Sequence, residues 1–410
     1  MSIQDVSIIG AGLAGLTLAL ALHANSIPVT VYESRPAPLN IGGAVMLSPN
    51  ALKVLDALGL YDTIKQKGYN FDLLHYRDAE GHLLETYEFG GSQKYGYDGL
   101  RIYRYVLIDE LVAALKLRGV KVVYGAKFSH VVEDTPSSVT FALTDGKTVR
   151  TSLLVGADGI HSVVRKHLYP DLRTKFIGMA GITAAVPTSQ LQLPEGYHIP
   201  VTITSPKGAF VIAPQQVDGS EVLIGKQMRV PLDITATPGW DRDFVSDKQS
   251  AIAFLQSNND DFPDFVKKAT SAIDPAKVNK WPFFVVPKLD RWVSETRRVI
   301  ILGDAAHAIP PSAGQGINQA FEDVYMLALI LGERERVRDM KAALGFWQEY
   351  RQKRVDRILE LNAQIDQRRM PRDDEVVGEA SGFEKGAFEL GWLYRPDFKA
   401  DVEEWLRREV

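Results

Sequence analysis

The stretch Val6-Ser7-Ile8-Ile9-Gly10-Ala11-Gly12-Leu13-Ala14-Gly15 decides the fold. Its first four residues read as a short buried strand, and the Ala- and Leu-rich run from Leu13 to His23 reads as a buried helix. Between them stands G-x-G-x-x-G. Gly10 allows the tight strand-to-helix turn, Gly12 lets backbone N–H groups approach a pyrophosphate, and Gly15 lets helix and strand pack closely. Leu13 and Ala14, at the helix start, belong to the same cradle. A second strand, Val29-Thr30-Val31-Tyr32, completes a βαβ unit of about 30 residues and delivers Glu33 to its end. A carboxylate at that place accepts from both hydroxyls of an adenosine ribose. It also disfavours a 2′-phosphate, so the resident nucleotide reads as FAD or NAD rather than NADP. Arg35 either stands near the adenine or points into water.

Two distant segments extend this reading. Leu153-Leu154-Val155-Gly156-Ala157-Asp158-Gly159 is a strand running into an Asp-Gly turn, with Ser162 and Arg165 downstream. Asp158 reads either as a cofactor residue or as the cap of an ordinary turn. Val299-Ile300-Ile301-Leu302 is a continuous apolar run suited to a parallel strand covered on both faces. It leads into Gly303-Asp304-Ala305-Ala306-His307, then Pro311 and Gly314-Gln315-Gly316-Ile317-Asn318. Asp304 thus lies at the C-terminal end of a parallel strand, where ligands of such sheets gather. The helix expected from Gly316 to Leu331 offers free N–H groups and a positive dipole end, which suit the anionic edge of a reduced flavin. His307 reads as structural. Arg104 opens a helix over Val106–Leu117, where a cation opposes the macrodipole, so it reads either as the partner of a nearby anion or as an exposed Arg swung into water. The three segments make sense together only around one flavin dinucleotide. No second G-x-G-x-x-G is present, and neither H-E-x-x-H, a P-loop nor G-x-S-x-G occurs.

The expected architecture is α/β: a Rossmann-like FAD-binding domain with an inserted antiparallel β-sheet substrate domain and C-terminal helices. Residues 1–175 form the first part of the FAD-binding domain and 176–287 the inserted sheet. Residues 288–370 form the second part with a long charged helix over Met340–Arg368, and 371–410 a tail that packs on the body. Period-2 patterning between Val120 and Val155, with turns at Asp134-Thr135-Pro136 and Asp145-Gly146, predicts hairpins. Strands are expected at Gly181–Val186, Ile199–Thr204, Ala209–Ala213 and Glu221–Lys226, and a polar helix over Asp247–Phe265. The inserted sheet should wall a substrate pocket. Phe210 and Ile212 share one strand face, and Leu223 and Gly225 another; both pairs are candidates, and the pattern does not say which face looks inward. In the tail, Phe383, Phe388, Trp392 and Tyr394 are the residues expected to pack.

Composition narrows the function. The chain has 410 residues, 45% hydrophobic and 24% charged, with net charge −4 and no cysteine. No Lys/Arg block forms a nucleic-acid footprint. The lack of cysteine excludes disulfides, thiolate metal sites, a Cys nucleophile and a thioether-linked flavin, so FAD is expected to bind non-covalently, and no metal is expected. No run approaches about 18 uninterrupted apolar residues, and the start lacks a basic n-region. A soluble, cytoplasmic monomer or homodimer is expected.

Together the segments resemble the group A flavoprotein monooxygenases, the family of 4-hydroxybenzoate hydroxylase, salicylate hydroxylase and kynurenine 3-monooxygenase. The resemblance runs from about Val6 to Arg354 and includes Ile41-Gly42-Gly43-Ala44 through Pro49-Asn50-Ala51-Leu52. It implies that Glu33 binds the adenosine ribose, Arg104 the pyrophosphate and ribityl region, and Asp304 the ribityl hydroxyls. It further implies that Asp158-Gly159 serves FAD and NAD(P)H, that Gly316 and Ile317 offer N–H groups to the flavin pyrimidine edge, and that Pro311 lies near the C4a face. Gly43 and Ala44 fall in the family's stretch beside the flavin, and Gly314 and Asn318 in the last motif. The family's cycle implies NADPH or NADH as a transient co-substrate and O2 addition giving a C4a-hydroperoxyflavin. One oxygen is then transferred to an aromatic or enol-like substrate, by hydroxylation or epoxidation. No residue is assignable as the acid or base. A flavin-dependent reductase or dehydrogenase of the same fold, or a non-catalytic flavin-binding protein, would share these motifs. One departure is visible: Thr296-Arg297-Arg298 stands where the family often has a Gly-Arg pair.

Overall fold

A computed structural model describes residues 3–39, 42–369 and 389–408. At its centre is a five-stranded parallel sheet in the order Val299–Ile301, Leu153–Gly156, Val6–Ile9, Val29–Tyr32, Lys121–Val123. The register aligns Val6 with Leu153 and Val29, and Leu154 with Val299. The three sequence motifs therefore end side by side at the C-terminal edge of one sheet, although about 300 residues separate the outer two. Close approach at the first turn requires glycine. Gly10 has φ +105, and a Cβ there would lie 2.6 Å from the Ala157 carbonyl oxygen; one on Gly15 would lie 2.0 Å from that of Gly10.

The second sheet has seven strands, in the order Val278–Val285, Lys175–Pro187, Glu221–Arg229, Gly208–Pro214, Val201–Ser205, Leu73–Arg77, Leu83–Glu88. Its last two strands come from residues 73–88, far upstream of the stretch read as the inserted domain. Leu73–Arg77 joins Val201–Ser205 in parallel, so the sheet is mixed rather than wholly antiparallel. One face packs under the helices Lys248–Gln256 and Asp264–Ser271 around a core that includes Phe210, Ile212 and Val266. The single helix expected over 247–265 is broken because Asn258 adopts φ +54 and Pro263 follows. A hairpin sheet of Phe128–Asp134, Val139–Leu143 and Thr148–Thr151 forms where alternation predicts it. A further small sheet, Ala44–Leu47 against Gly99–Tyr103 and Tyr69–Phe71, bridges the two large sheets.

Two C-terminal helices, Gly316–Gly332 and Met340–Arg369, are joined by ionic groups rather than by apolar residues alone. Glu322, Asp323 and Arg351 have no exposed surface. Arg351 donates from Nε to Asp323 at 2.8 Å and from Nη1 to Glu322, and Arg354 donates to Glu322 at 2.6 and 2.8 Å. Asn50 adds a bond to Glu322 at 2.6 Å. Burial alone would raise both carboxyls. For Asp323 the adjacent His307 and Arg351, and for Glu322 the two arginines, more than offset it and hold both below the ordinary range. Arg354 also donates to the Trp392 and Leu393 carbonyls, fixing the final segment, where Leu393 and Tyr394 are buried. Phe383 and Phe388 lie outside the described residues. Arg297, standing in place of the family's glycine, has φ +64, the left-handed region that glycine favours.

Candidate functional site: a cavity between two sheets

A cavity of about 1140 Å³ runs from the ends of the parallel strands to the near face of the second sheet. Gly12, Leu13, Ala14, Arg104 and Asp304 line its nucleotide end. A Cβ on Gly12 or Gly316 would meet no protein atom within 4 Å. Neither glycine is in the left-handed region, so neither is required by backbone or packing; both keep space open above a helix N-terminus. These are features of a cradle for a phosphate-bearing, partly anionic cofactor.

Asp304 begins a short helix, lines the cavity and is solvent-accessible from it. Burial pushes its pKa up, while His307 and Arg104 pull it down. Arg104 is the first residue of the helix Arg104–Leu117 and lines the same space; burial lowers its pKa and Asp304 opposes that. The two charged groups border the same space and each feels the other's charge. Ala44, Gly314, Gly316, Ile317 and Pro311 all border the cavity. Gly43 sits behind Arg104, whose N–H reaches the Gly43 carbonyl at 3.4 Å. Glu33 is buried at the end of its strand and accepts the Ala11 and Arg35 N–H groups at 2.8 Å each. It thereby ties the glycine turn to the second strand. The Arg35 side chain is about half exposed, 3.5 Å from Glu33.

Like Glu33, which does not border the cavity, two further residues read as cofactor ligands turn their side chains to the protein. Asp158 accepts from Ser162 Oγ at 2.6 Å and from the Val163 and Val164 N–H groups at 2.7 and 3.2 Å, so it caps the turn that carries Gly159 into the cavity. Arg165 then donates to the Ala305 carbonyl at 2.9 Å and the Ile160 carbonyl at 2.6 Å, locking the second motif onto the third. Asn318 is fully buried. Its amide donates to the Met46 and Gly314 carbonyls at 3.0 and 2.7 Å and accepts the Ser48 N–H at 2.9 Å, stapling the helix start to the bridging sheet. His307 donates from Nε2 to the Asp323 carboxylate at 2.6 Å and packs on Trp292, away from the cavity. The Gly303 N–H also bonds Asp323, at 2.9 Å. The ionic core thus holds the turn that aims Asp304.

At the far end, Leu223 and Gly225 line the cavity, whereas Phe210 and Ile212 do not. Alternation sends those two large side chains to the opposite face, into the core under the helices, and leaves Ala209, Val211 and Ala213 to border the cavity. Small residues leave room for a ligand, and that size difference between the two faces is a signal the sequence carried. Sequence reasoning also missed the aromatic side walls, Tyr76, Tyr87, Phe89, Trp281 and Phe283, and the cation Arg101. The Pro311 loop is held from behind by the long helix: Asn362 accepts the Ala313 N–H at 2.7 Å and donates to the Pro310 carbonyl at 3.0 Å.

The parallel dinucleotide-type sheet thus opens at its strand ends into a cavity closed by a second sheet. Residues 4–363 match the family described as FAD binding domain, and the chain belongs to that family. Among curated relatives, 3-amino-4-hydroxybenzoate 2-monooxygenase of Streptomyces platensis is 30% identical over 363 residues, covering 86% of this chain and 85% of that one. Hispidin-3-hydroxylase of Neonothopanus nambi is 29% identical, covering 86% of each. Among solved structures, Klebsiella pneumoniae HpxO complexed with FAD and uric acid is 26% identical with a TM-score of 0.71, over 89% of this chain and 87% of that one. The protein is an FAD-dependent monooxygenase.

Proposed function

We propose that the enzyme uses NADH or NADPH and O2 to hydroxylate, or epoxidise, a small electron-rich aromatic or enol-like molecule. The observation that carries this reading is the continuity of the cavity. The cofactor cradle and a chamber walled by Tyr76, Tyr87, Phe89, Trp281 and Phe283 are one space, so a substrate held there lies beside the cofactor and away from bulk water. When bound, FAD supplies reduction by the nicotinamide and activation of O2. The chain supplies position and electrostatics. In this reading Glu33 and Arg104 hold the dinucleotide, Asp304 accepts from the ribityl chain, and the helix at Gly316 turns its N–H groups and positive end toward the flavin edge. Pro311 backs the reacting face, and Leu223 and Gly225 border the substrate.

The division of labour supports reading 1–175 and 288–370 as the cofactor unit and 176–287 as the substrate sheet, with residues 73–88 added to the latter. Among the described residues no helix is long and apolar enough to cross a membrane, and we assign a cytoplasmic monomer or homodimer that takes no nucleic-acid partner. The test is NADH and NADPH oxidation across a panel of aminohydroxybenzoates, phenols, indoles and quinols, with product mass. A product gaining one oxygen supports the reading. A reduced product without oxygen indicates a reductase, and no turnover with any nicotinamide indicates a flavin-binding protein without this activity.

A further inference from the structure

A carboxylate stands behind the Pro311 loop and orders two polar side chains of the cavity wall. Asp366, on the helix Met340–Arg369, accepts from the Ser312 hydroxyl and from Gln227 Nε2 at 3.4 Å, and the same amide nitrogen lies 3.5 Å from Ser312 Oγ. The three come from separate parts of the chain: the long helix, the loop after Pro311, and the strand Glu221–Arg229 of the second sheet. Ser312 is buried, and both it and Gln227 border the cavity. Alternation puts Gln227 on the strand face that carries Leu223 and Gly225. The loop does not depend on Asp366 for its hold, because Asn362 bonds the Ala313 N–H and the Pro310 carbonyl, and Arg369 bonds the Ser312 carbonyl at 3.1 Å.

An ionised carboxylate can only accept hydrogen bonds. With Asp366 ionised, the one proton of Ser312 must point at it, and Gln227 must turn its amide nitrogen rather than its oxygen toward it. What remains to the pair is a lone pair on Ser312 Oγ and the Gln227 Oε1, which is buried and has no donor among the described residues. Both are acceptors, and a buried acceptor without a donor is destabilising until an N–H or O–H reaches it. The groups that face Asp366 are Ser312, Gln227 and, from its own helix, Arg369, the charged one of the three. Burial raises the Asp366 carboxyl above its ordinary value, and these neighbours hold part of that rise back. Once protonated, the carboxyl can itself donate to Ser312, whose own proton is then free to turn to the cavity.

We propose that Asp366 sets the direction of the Ser312 hydroxyl, so that the wall beside Pro311 offers hydrogen-bond acceptors only and selects a ring bearing an O–H or N–H over the same ring with that donor blocked. Ser312 touches the substrate, and Asp366 is a positioning residue that acts through it. The carboxylate behind Ser312 also strengthens the bond that the hydroxyl accepts, because hydrogen bonds in a chain polarise one another. The inference rests on the proposed function in placing the substrate beside Pro311, and it adds the residues that choose the substituent at that place.

The test is calorimetric titration of the FAD-loaded enzyme with phenol and with anisole, which keeps the oxygen and lacks its proton. At neutral pH phenol should bind about tenfold more tightly, as one well-made hydrogen bond in a desolvated site allows. The preference belongs to the ionised form of Asp366, whose folded pKa is raised. It should therefore be present at neutral pH and lost as pH falls through that pKa, before an ordinary carboxyl would titrate, while phenol stays neutral throughout. Ser312→Ala should remove the preference at every pH. Asp366→Asn, whose amide can donate to Ser312, should leave a smaller preference that no longer changes with pH, at native FAD content. Equal or undetectable binding of the two probes by the native enzyme overturns the proposal. So does a phenol preference that is constant with pH in the native enzyme, or one that survives Ser312→Ala. The pH series needs no substitution, so it decides the matter if neither variant folds. Binding needs no turnover, so a failure of oxygen transfer refutes the proposed function and leaves this readout standing.

Discussion

Replacing Gly316 by Ala separates what the protein needs from what the cofactor needs. A Cβ at Gly316 has no protein atom within 4 Å, and the residue opens a helix without a left-handed φ. The apo protein should therefore lose nothing and gain up to about 1 kcal/mol, because alanine restricts the unfolded chain. The methyl instead projects into the cavity, above the N–H groups assigned to the flavin edge. Forcing an extra methyl into a close contact costs about 1–3 kcal/mol, which is roughly 5- to 150-fold in the FAD dissociation constant. Any part of that cost falling more heavily on the reduced form lowers the potential by about 30 mV per 1.4 kcal/mol. Gly15 is the internal contrast. Its Cβ would lie 2.0 Å from the Gly10 carbonyl oxygen, so Gly15→Ala should destabilise even the apo protein. The assays are thermal unfolding of both apo variants, FAD titration by fluorescence quenching, and potentials from dye equilibration. A Gly316→Ala variant that binds FAD with native affinity and potential would show that this helix does not face the flavin.

Asp304→Asn should weaken FAD by about 1.5–3 kcal/mol, the worth of a charge-assisted hydrogen bond, with unfolding of the apo protein little changed; native affinity in equilibrium dialysis would remove Asp304 from the cofactor site. Arg351→Met should cost about 3–5 kcal/mol of stability, because it removes the one guanidinium shared by the buried carboxylates and leaves Glu322 to Arg354 and Asp323 to His307; chemical denaturation showing less than about 1 kcal/mol lost would contradict this. The pH dependence has a fixed sign. Both carboxyls have folded pKa values below the ordinary range, so their contribution is present above about pH 4 and lost as pH falls below it; melting temperatures that rise on acidification through that window would refute the depressed values. Arg297→Gly should raise stability by up to about 1 kcal/mol by relieving the left-handed strain, measured by the shift in denaturant midpoint.

Much of this was legible in the chain because the informative features are local. Strand, glycine turn and helix follow one another at Val6–Gly15, and the apolar runs 153–156 and 299–302 mark their neighbours, so the parallel sheet could be read without knowing its contacts. What local pattern cannot carry is partner choice. Asp158 looked equally like a ligand and a cap, and only the positions of Ser162, Val163 and Val164 show where its oxygens are used. Residues 73–88 join a sheet formed mainly from residues 175–285, a pairing at long sequence separation with no turn to announce it. Phe210 and Ile212 alternate with Ala209, Val211 and Ala213, and periodicity alone gives two faces without saying which meets solvent, core or ligand. Arg101 sits in a strand that otherwise reads as apolar; its burial beside Gln215 exists only in three dimensions.

The most direct measurement uses isotopically labelled O2. The FAD-loaded enzyme is supplied with NADH or NADPH and with those members of the panel that accelerate flavin reduction, and the product is analysed by mass spectrometry. The account predicts one labelled oxygen atom in the product, none derived from water, and no oxygen transfer without the nicotinamide. Nicotinamide oxidation that yields only labelled peroxide, or a product whose new oxygen comes from water, with every compound tested would contradict it.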